Sequence, residues 1–473
     1  MATDGKEQKV VSFLEGVVGK DYVTVSVFEK IKQSVDPFPY HAERDKLPLA
    51  VVLPEKKEQI AEILKYANKE NVPVFVRGSG TQLAGSSRPH TPGIMLNTSR
   101  LTSFEVKEGY GFFETGPGVT VGAAGDMLAE RGWFLPILPG SRVIASMGGV
   151  IANNTSGHII DAALGKLADY VLGVEVVLPT GEIIETGTTG LRKPAGMDLT
   201  KMFVGGDGIM GVVTKIRMRL IPLVKQSYGI AIYPDLKPIA RAVKNMYLEK
   251  APPPLFTEFM DHNVSKIAFE IKEMEPPPGP VIFFVGIGQD KEEADKKMAK
   301  VMEVFKKEDP ITAYPITDLE EWKKIWVARE VIAPYLMNKL QGKLIAIELV
   351  SNLAQLEEAV EEGARFNEGI PYLEDLTNYY FGHIGALTMH PTFILPPEWD
   401  DEIMREINKN QFAKEAAFNL KYGTCGGEWG QFSKRTPFFV KRYGETAYEL
   451  VKKMKTAFDP NNILNPGILE GYR

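Results

Sequence analysis

The chain has 473 residues, enough for roughly three domains at about 150 residues each. Its 44% hydrophobic and 25% charged residues are an ordinary globular balance. A net charge of −6 argues against nucleic acid or an anionic membrane as partner. No run approaches the ~18 apolar residues of a membrane helix. Cys425 is the only cysteine, so the chain forms no internal disulfide and cannot ligate an iron–sulfur cluster alone. The segment from Met1 to Lys9 lacks the apolar core of a signal peptide, and a cytoplasmic location is expected, with attachment through a partner left open.

Residues 1–40 read as an irregular or short-helical lead-in. Over 55–70, Ile60, Ile63, Leu64 and Ala67 fall on one helical face. A strand is expected over 73–77, and a glycine loop runs from Arg77 to Gly85. This order invites a dinucleotide-binding reading, but Leu83 stands where the third glycine after Gly78 and Gly80 is required. The loop is better suited to wrapping a pyrophosphate by itself. Strands are expected at 93–97, 103–107 and 111–115, then a helix at 119–132.

Residues 139–157 form the most distinctive stretch. Gly140, Gly148, Gly149 and Gly157 let backbone approach a ligand closely. Pro139 opens the stretch, and Ser141, Ser146, Asn153, Asn154, Thr155 and Ser156 supply small polar side chains. Arg142 is its one charge, and successive backbone N–H groups there can form an anion-binding concavity. Strands at 170–178 and 182–185 flank Pro179-Thr-Gly181, a hairpin signal. A glycine turn and an alternating strand follow over 205–220. Beyond Pro222, strands (228–233, 281–286, 344–350) alternate with amphipathic helices (235–249, 290–307, 352–368, 401–419), an α+β pattern with an antiparallel sheet. A last helix at 444–457 precedes the tail Phe458-Asp-Pro-Asn-Asn-Ile-Leu-Asn-Pro-Gly467.

The segments 73–85, 139–157, 198–214 and 459–467, in that order, resemble those of FAD-linked oxidoreductases of the vanillyl-alcohol-oxidase type. Within that type the chain is most similar to the D-lactate dehydrogenase and glycolate oxidase flavoprotein subunit group. The resemblance implies an α+β protein with a two-part FAD-binding domain (1–221, completed by a C-terminal segment, 431–473) and an α+β cap, antiparallel sheet plus helices, over 222–430. It implies that FAD meets Arg77, Gly78, Ser79, Gly80, Thr81, Gln82 and Gly85 of the first loop. The same holds for Pro139, Gly140, Ser141, Ser146, Gly148, Gly149, Asn153, Asn154, Ser156 and Gly157 of the central stretch, and for Gly206, Gly211 and Val212. Asn465 would approach the flavin. Some relatives tether the flavin through a histidine in the first loop; here that loop carries Gly80-Thr81-Gln82, so non-covalent FAD is expected. His90, a few residues on, reads as structural.

His383, His390 and Glu428 are two imidazoles and a carboxylate, donors suited to a borderline divalent cation such as Zn, Mn or Fe. The resemblance implies a metal on these three, because the group carries its ion on a His-x6-His pair and a later glutamate. Two departures stand out. Gly385-Ala386-Leu387-Thr388 replaces the usual Gly-Asp-Gly-Asn, and Trp429 replaces a histidine thought to take the substrate proton. Tryptophan has no basic nitrogen for that task. The base must come from elsewhere: an oxygen acidified by the cation, Tyr379 or Tyr380, or His158. Ala386, Leu387 and Trp429 make the surroundings more apolar, which points to a substrate bulkier or more apolar than lactate. Arg329 resembles an arginine that grips substrate carboxylate, a task its planar fork suits; a solvent-facing helical arginine is the other reading.

The first expectation is an FAD-dependent dehydrogenase of a 2-hydroxy acid that passes electrons to an electron-transfer flavoprotein or an iron–sulfur subunit, within a homo- or hetero-oligomer. Oxidation of a different alcohol or a non-redox flavin-dependent synthase on the same scaffold is the second, since fold does not fix reaction. A catalytically silent flavin subunit is the third.

Overall fold

The computed structural model describes the chain apart from residues 1, 38–41, 156, 160, 191–196, 425, 427, 429, 431–434 and 471–473. It divides into two compact units. The first comprises Met1–Thr155, Lys166–Pro222 and Glu428–Arg473; the second comprises Ser156–Gly165 and Leu223–Gly427. Among the described residues no helix is long and apolar enough to cross a membrane.

The first unit holds a four-stranded sheet in the order Val23–Thr24, Ala50–Val52, Ile94–Asn97, Val74–Arg77, its last three strands parallel. The helix Lys57–Glu70 buries Ile60, Ile63, Leu64 and Ala67, the face expected from their spacing. It stops at Asn71, whose left-handed φ of 53° closes the last turn. The tail then returns along Val74. Val74 N donates to Ile463 O (2.7 Å), and Asn465 N donates to Val74 O (2.8 Å). A second, antiparallel sheet has the order Phe104–Lys107, Phe112–Thr115, Val212–Arg219, Val171–Val177, Ile183–Glu185. Alternation along Val212–Arg219 buries Val212, Thr214, Ile216 and Met218. The lead-in differs from the sequence expectation: Ala2–Val18 is one helix of 17 residues. Val10, Leu14 and Val18 are buried and Val11, Phe13 and Val17 pack against the same core, a stripe at helical spacing that the sequence expectation passed over.

The second unit is built on an antiparallel sheet in the order Thr312–Ile316, Lys225–Ile232, Val281–Gly288, Thr257–Met260, Tyr379–Gly382, Thr388–Leu395, Lys343–Ala346. The segment expected as one strand over 344–350 is two, Lys343–Ala346 and Leu349–Val350. The helix Leu319–Leu340 was hidden by Pro334 in its interior, which breaks the helical signal although the helix runs through it. Thr257–Met260 and Thr388–Leu395 are buried at every position, so they lack the alternation that marks a half-exposed strand.

Candidate active site

In the first unit, three glycine-bearing segments meet around the helix Met147–Asn153. A Cβ on Gly78 would lie 2.2 Å from Ser146 Oγ, and one on Gly148 would lie 2.6 Å from Pro117 Cβ. At 148 the rigid proline leaves room for glycine alone, whereas at 78 a side chain would force the Ser146 hydroxyl to turn away from its helix cap. Ser146 caps the helix by accepting from Gly149 N. Gly205 N and Asp207 N donate to Ile151 O and Ala152 O, both 2.9 Å, docking the 205–211 turn on the same helix. Asn465 joins the set: its Oδ1 accepts from Val76 N (2.9 Å) and its Nδ2 donates to Gly208 O (2.7 Å). Asn153 Nδ2 donates to Thr155 Oγ1 (3.1 Å) and Glu428 O (2.6 Å), while its buried Oδ1 has no hydrogen-bond partner. A glycine-walled surface lets backbone N–H groups meet a pyrophosphate, and the orphaned Asn153 Oδ1, an acceptor, suits an N–H or O–H donor elsewhere on FAD.

The expected cofactor residues do not all present side chains to that surface. Arg77 turns its Nη2 to Val35 O (2.6 Å) and lies beneath Gly80, where an added Cβ would come within 2.0 Å of it. It fixes the loop from behind. Gln82 closes the loop through Ser86 Oγ (3.2 Å). Gly85 has a left-handed φ of 82°, and Ser79 and Thr81 keep accessible surface. Pro139, Gly140 and Ser141 form a turn, with Arg142 N donating to Pro139 O (3.0 Å). Asn154 caps the helix C-terminus with φ 51°, and its Oδ1 accepts from Ala168 N (3.0 Å). Gly206 lies in the docked turn; Gly211 is a packing glycine against Val176, and the Val212 side chain belongs to the core. Gly157 is described with φ 69°, whereas Ser156 lies outside the described residues.

The second unit contains a fully buried carboxylate, Glu258, that the sequence reading did not single out. Register explains its neighbours: Phe259 pairs with Gly382, so Glu258 stands across from His383, and Phe381 pairs with His390. Both imidazoles therefore lie on one face, with ring centroids 5.2 Å apart. Glu258 Oε1 accepts from His383 Nδ1 (2.6 Å) and lies 3.1 Å from His158 Nδ1. Its Oε2 accepts from Arg329 Nε (3.1 Å) and Nη2 (2.8 Å). The guanidinium also sits over the Phe381 ring at 4.5 Å. Burial alone would raise the Glu258 pKa, but its interactions with the His383 and His158 rings and the Arg329 guanidinium outweigh it and hold the carboxyl well below its ordinary range. His158 packs edge-on to Trp326 at 4.9 Å, and burial lowers its pKa to about 4 against the opposing pull of Glu258. The 3.1 Å approach to Glu258 is not aligned as a hydrogen bond, and neither ring nitrogen of His158 has one.

Residues 48–187 match the model of an FAD binding domain, and residues 224–469 match that of the C-terminal domain of FAD linked oxidases. The chain belongs to the FAD-linked oxidases. Among the relatives of this oxidase, glycolate oxidase subunit GlcD of Bacillus subtilis is 28% identical over 430 residues, 89% of this chain and 88% of that protein. A D-lactate dehydrogenase of Archaeoglobus fulgidus is 28% identical over 424 residues, 88% of this chain and 90% of that one. The fold is shared with p-cresol methylhydroxylase (TM-score 0.80, 18% identity, 99% of this chain and 97% of the other). The α+β class with a vanillyl-alcohol-oxidase-type FAD-binding domain is thereby shown.

Within this FAD-linked oxidase the expected catalytic residues separate. Arg329 is buried and engaged with Glu258, so the solvent-facing alternative is corrected. Tyr379 is half-buried, and burial raises its pKa. Tyr380 is buried with its Oη unpartnered, close to Gly363, and burial and then Asp261 push its pKa well above the ordinary value. Both phenols are thus harder to deprotonate than a free tyrosine, which works against the base role considered for them. His390 Nδ1 donates to Ile347 O (3.1 Å). With His383 Nδ1 held by Glu258, both rings keep their proton on Nδ1 and their lone pair on Nε2, the arrangement that suits metal-binding histidines. Glu428 belongs to the first unit, and Trp429 lies outside the described residues. His90 packs against Gly467, in keeping with a structural part. One signal for Glu258 was present: a lone acid inside the apolar run from Leu255 to Met260 is buried and therefore paired.

Proposed function

We propose that this FAD-linked oxidase is a dehydrogenase of a 2-hydroxy acid, D-lactate-like or bulkier, that forms the 2-oxo acid and passes electrons to a partner protein. The observation that carries this reading is the pair His383 and His390, each with Nδ1 held so that Nε2 carries the lone pair. The names of the relatives, a glycolate oxidase subunit and a D-lactate dehydrogenase, agree with it. Bound FAD supplies the two-electron acceptor, held non-covalently because no histidine lies in the loop 77–85. A divalent cation held by His383 and His390 would supply positive charge for the substrate hydroxyl and carboxylate.

The remaining work belongs to the chain. His158 is neutral at physiological pH, so its ring has a lone pair to take a proton; burial makes it a weak base, and the adjacent Glu258 carboxylate offsets that only in part. It is therefore retained as proton acceptor ahead of the two tyrosines. Trp322, Trp326, Phe256 and Phe283 pack into one aromatic cluster beside His158. The expectation of a substrate side chain larger than a methyl group rests on Ala386 and Leu387, which follow His383 closely in the chain. Electrons leave to an electron-transfer flavoprotein or a separate iron–sulfur subunit, since one cysteine cannot hold a cluster.

Dye-linked turnover over a panel of small and large 2-hydroxy acids, before and after chelation and re-addition of Zn, Mn or Fe, tests this proposal. Turnover of one enantiomeric series, lost on chelation and restored by one metal, is expected. Rapid lactate oxidation with neglect of all larger acids would refute the substrate size. Turnover insensitive to chelation would refute the metal.

A further inference from the structure

We infer that Glu258 is a positioning residue that sets His383 as a metal ligand and ties Arg329 and His383 into one unit. The inference rests on the metal reading above and goes beyond it to a residue outside the His-x6-His pair. Three observations support it. Glu258 is fully buried on the strand Thr257–Met260, across the ladder from His383. Its two oxygens are divided, Oε1 to His383 Nδ1 at 2.6 Å and Oε2 to Arg329 at 2.8 and 3.1 Å. Arg329 is in turn stacked on Phe381, two residues before His383 on the next strand. A carboxylate with these neighbours cannot rotate without breaking charge-assisted bonds in a dry interior.

The consequence for His383 is a fixed tautomer. A carboxylate only accepts, so the ring nitrogen facing it must donate. The proton stays on Nδ1, the lone pair on Nε2 points away from Glu258, and the ring plane is held. His390 reaches the same state through a backbone carbonyl, Ile347 O at 3.1 Å, which no side-chain substitution removes. Glu258 is therefore the point at which the pair can be altered without touching a ligand. Arg329 neutralises Glu258, which is otherwise an unpaired buried charge. His158 shares Oε1 without an aligned hydrogen bond and contributes much less to the hold on His383.

The test is cobalt(II) binding to the FAD-loaded protein, read from the visible ligand-field bands against a competing chelator, with flavin absorbance as the control for folding. Wild type binds one cobalt. Glu258→Gln can turn its amide toward His383 and reverse the tautomer; it weakens cobalt binding by about 10- to 100-fold, the scale of losing such a support. His158→Ala changes it less than about threefold on the same scale. Should Glu258→Gln fail to fold, the double variant Glu258→Leu/Arg329→Met removes both charges together, an exchange that is often neutral for stability, and it shows the same loss of cobalt. Nitrogen-15 histidine spectra of the metal-free wild type give a reading that needs no variant: His383 carries its proton on Nδ1. No cobalt bound by wild type overturns the metal reading itself. Cobalt bound equally well by wild type and by a folded Glu258 variant, or a proton found on Nε2 of His383, overturns the part assigned to Glu258 and leaves the metal reading standing.

Discussion

Asn465→Ala separates the tail from the rest of the first unit. Asn465 makes two side-chain hydrogen bonds, to Val76 N (2.9 Å) and Gly208 O (2.7 Å), and has a φ of 45°. Alanine orphans one donor and one acceptor that are at most partly reached by water. Each such loss costs about 1–3 kcal/mol, and a left-handed alanine adds about 1 kcal/mol. The expected total is about 3–7 kcal/mol, with the lower end favoured because Val76 and Gly208 are not fully buried. Urea unfolding of the FAD-free protein measures it without the contribution of cofactor binding, which would otherwise raise apparent stability. The same substitution loosens the junction between the first loop and the 205–211 turn, so FAD retention on gel filtration should fall as well. Asn465→Asp keeps the acceptor for Val76 but sets a carboxylate against Gly208 O, and should lie between wild type and alanine. A loss below about 0.5 kcal/mol, the scale of an unimportant surface change, with FAD retained, would refute the junction as described.

Two further outcomes follow from the second unit. Arg329→Ala should lower metal affinity together with kcat, because Glu258 loses its counter-charge; a raised KM with metal content and kcat unchanged would instead make Arg329 a carboxylate grip. Asp261 caps the helix His262–Ile271, and burial raises its pKa to about 7 against the opposing hydrogen bonds from Val264 N and Tyr380 N. The folded chain therefore holds this proton where the unfolded chain has released it, and the stability it contributes at low pH is lost as pH rises from about 4 to 7. Asp261→Asn should flatten that slope in urea unfolding at stepped pH, and an unchanged slope would contradict the assignment.

Much of the scaffold was legible because its signals are local. The face of the helix Lys57–Glu70 and the alternation along Val212–Arg219 follow from spacing alone. The glycine at 148 announces close approach because the facing Pro117 leaves no room for a Cβ. The site was legible only where a motif was contiguous, as for His383 and His390. Glu258 was not, because its meaning lies in a strand register that brings residues 258 and 383 together across 125 positions of chain. Arg329 lay on a helix obscured by Pro334, so neither its burial nor its partner could be read from periodicity. The phenols at Tyr379 and Tyr380 looked available in sequence, and only burial shows the cost of ionising them.

The central claim is that this oxidase takes electrons from the carbinol carbon of a 2-hydroxy acid, and anaerobic bleaching of its flavin absorbance tests it most directly. The oxidised protein is mixed, without oxygen or acceptor, with the D and L forms of small and large 2-hydroxy acids in turn. Rapid bleaching by one enantiomeric series, fastest with a bulkier acid, is the expected result. An oxidised flavin spectrum that no 2-hydroxy acid changes would contradict the claim and leave a different reaction on the same scaffold.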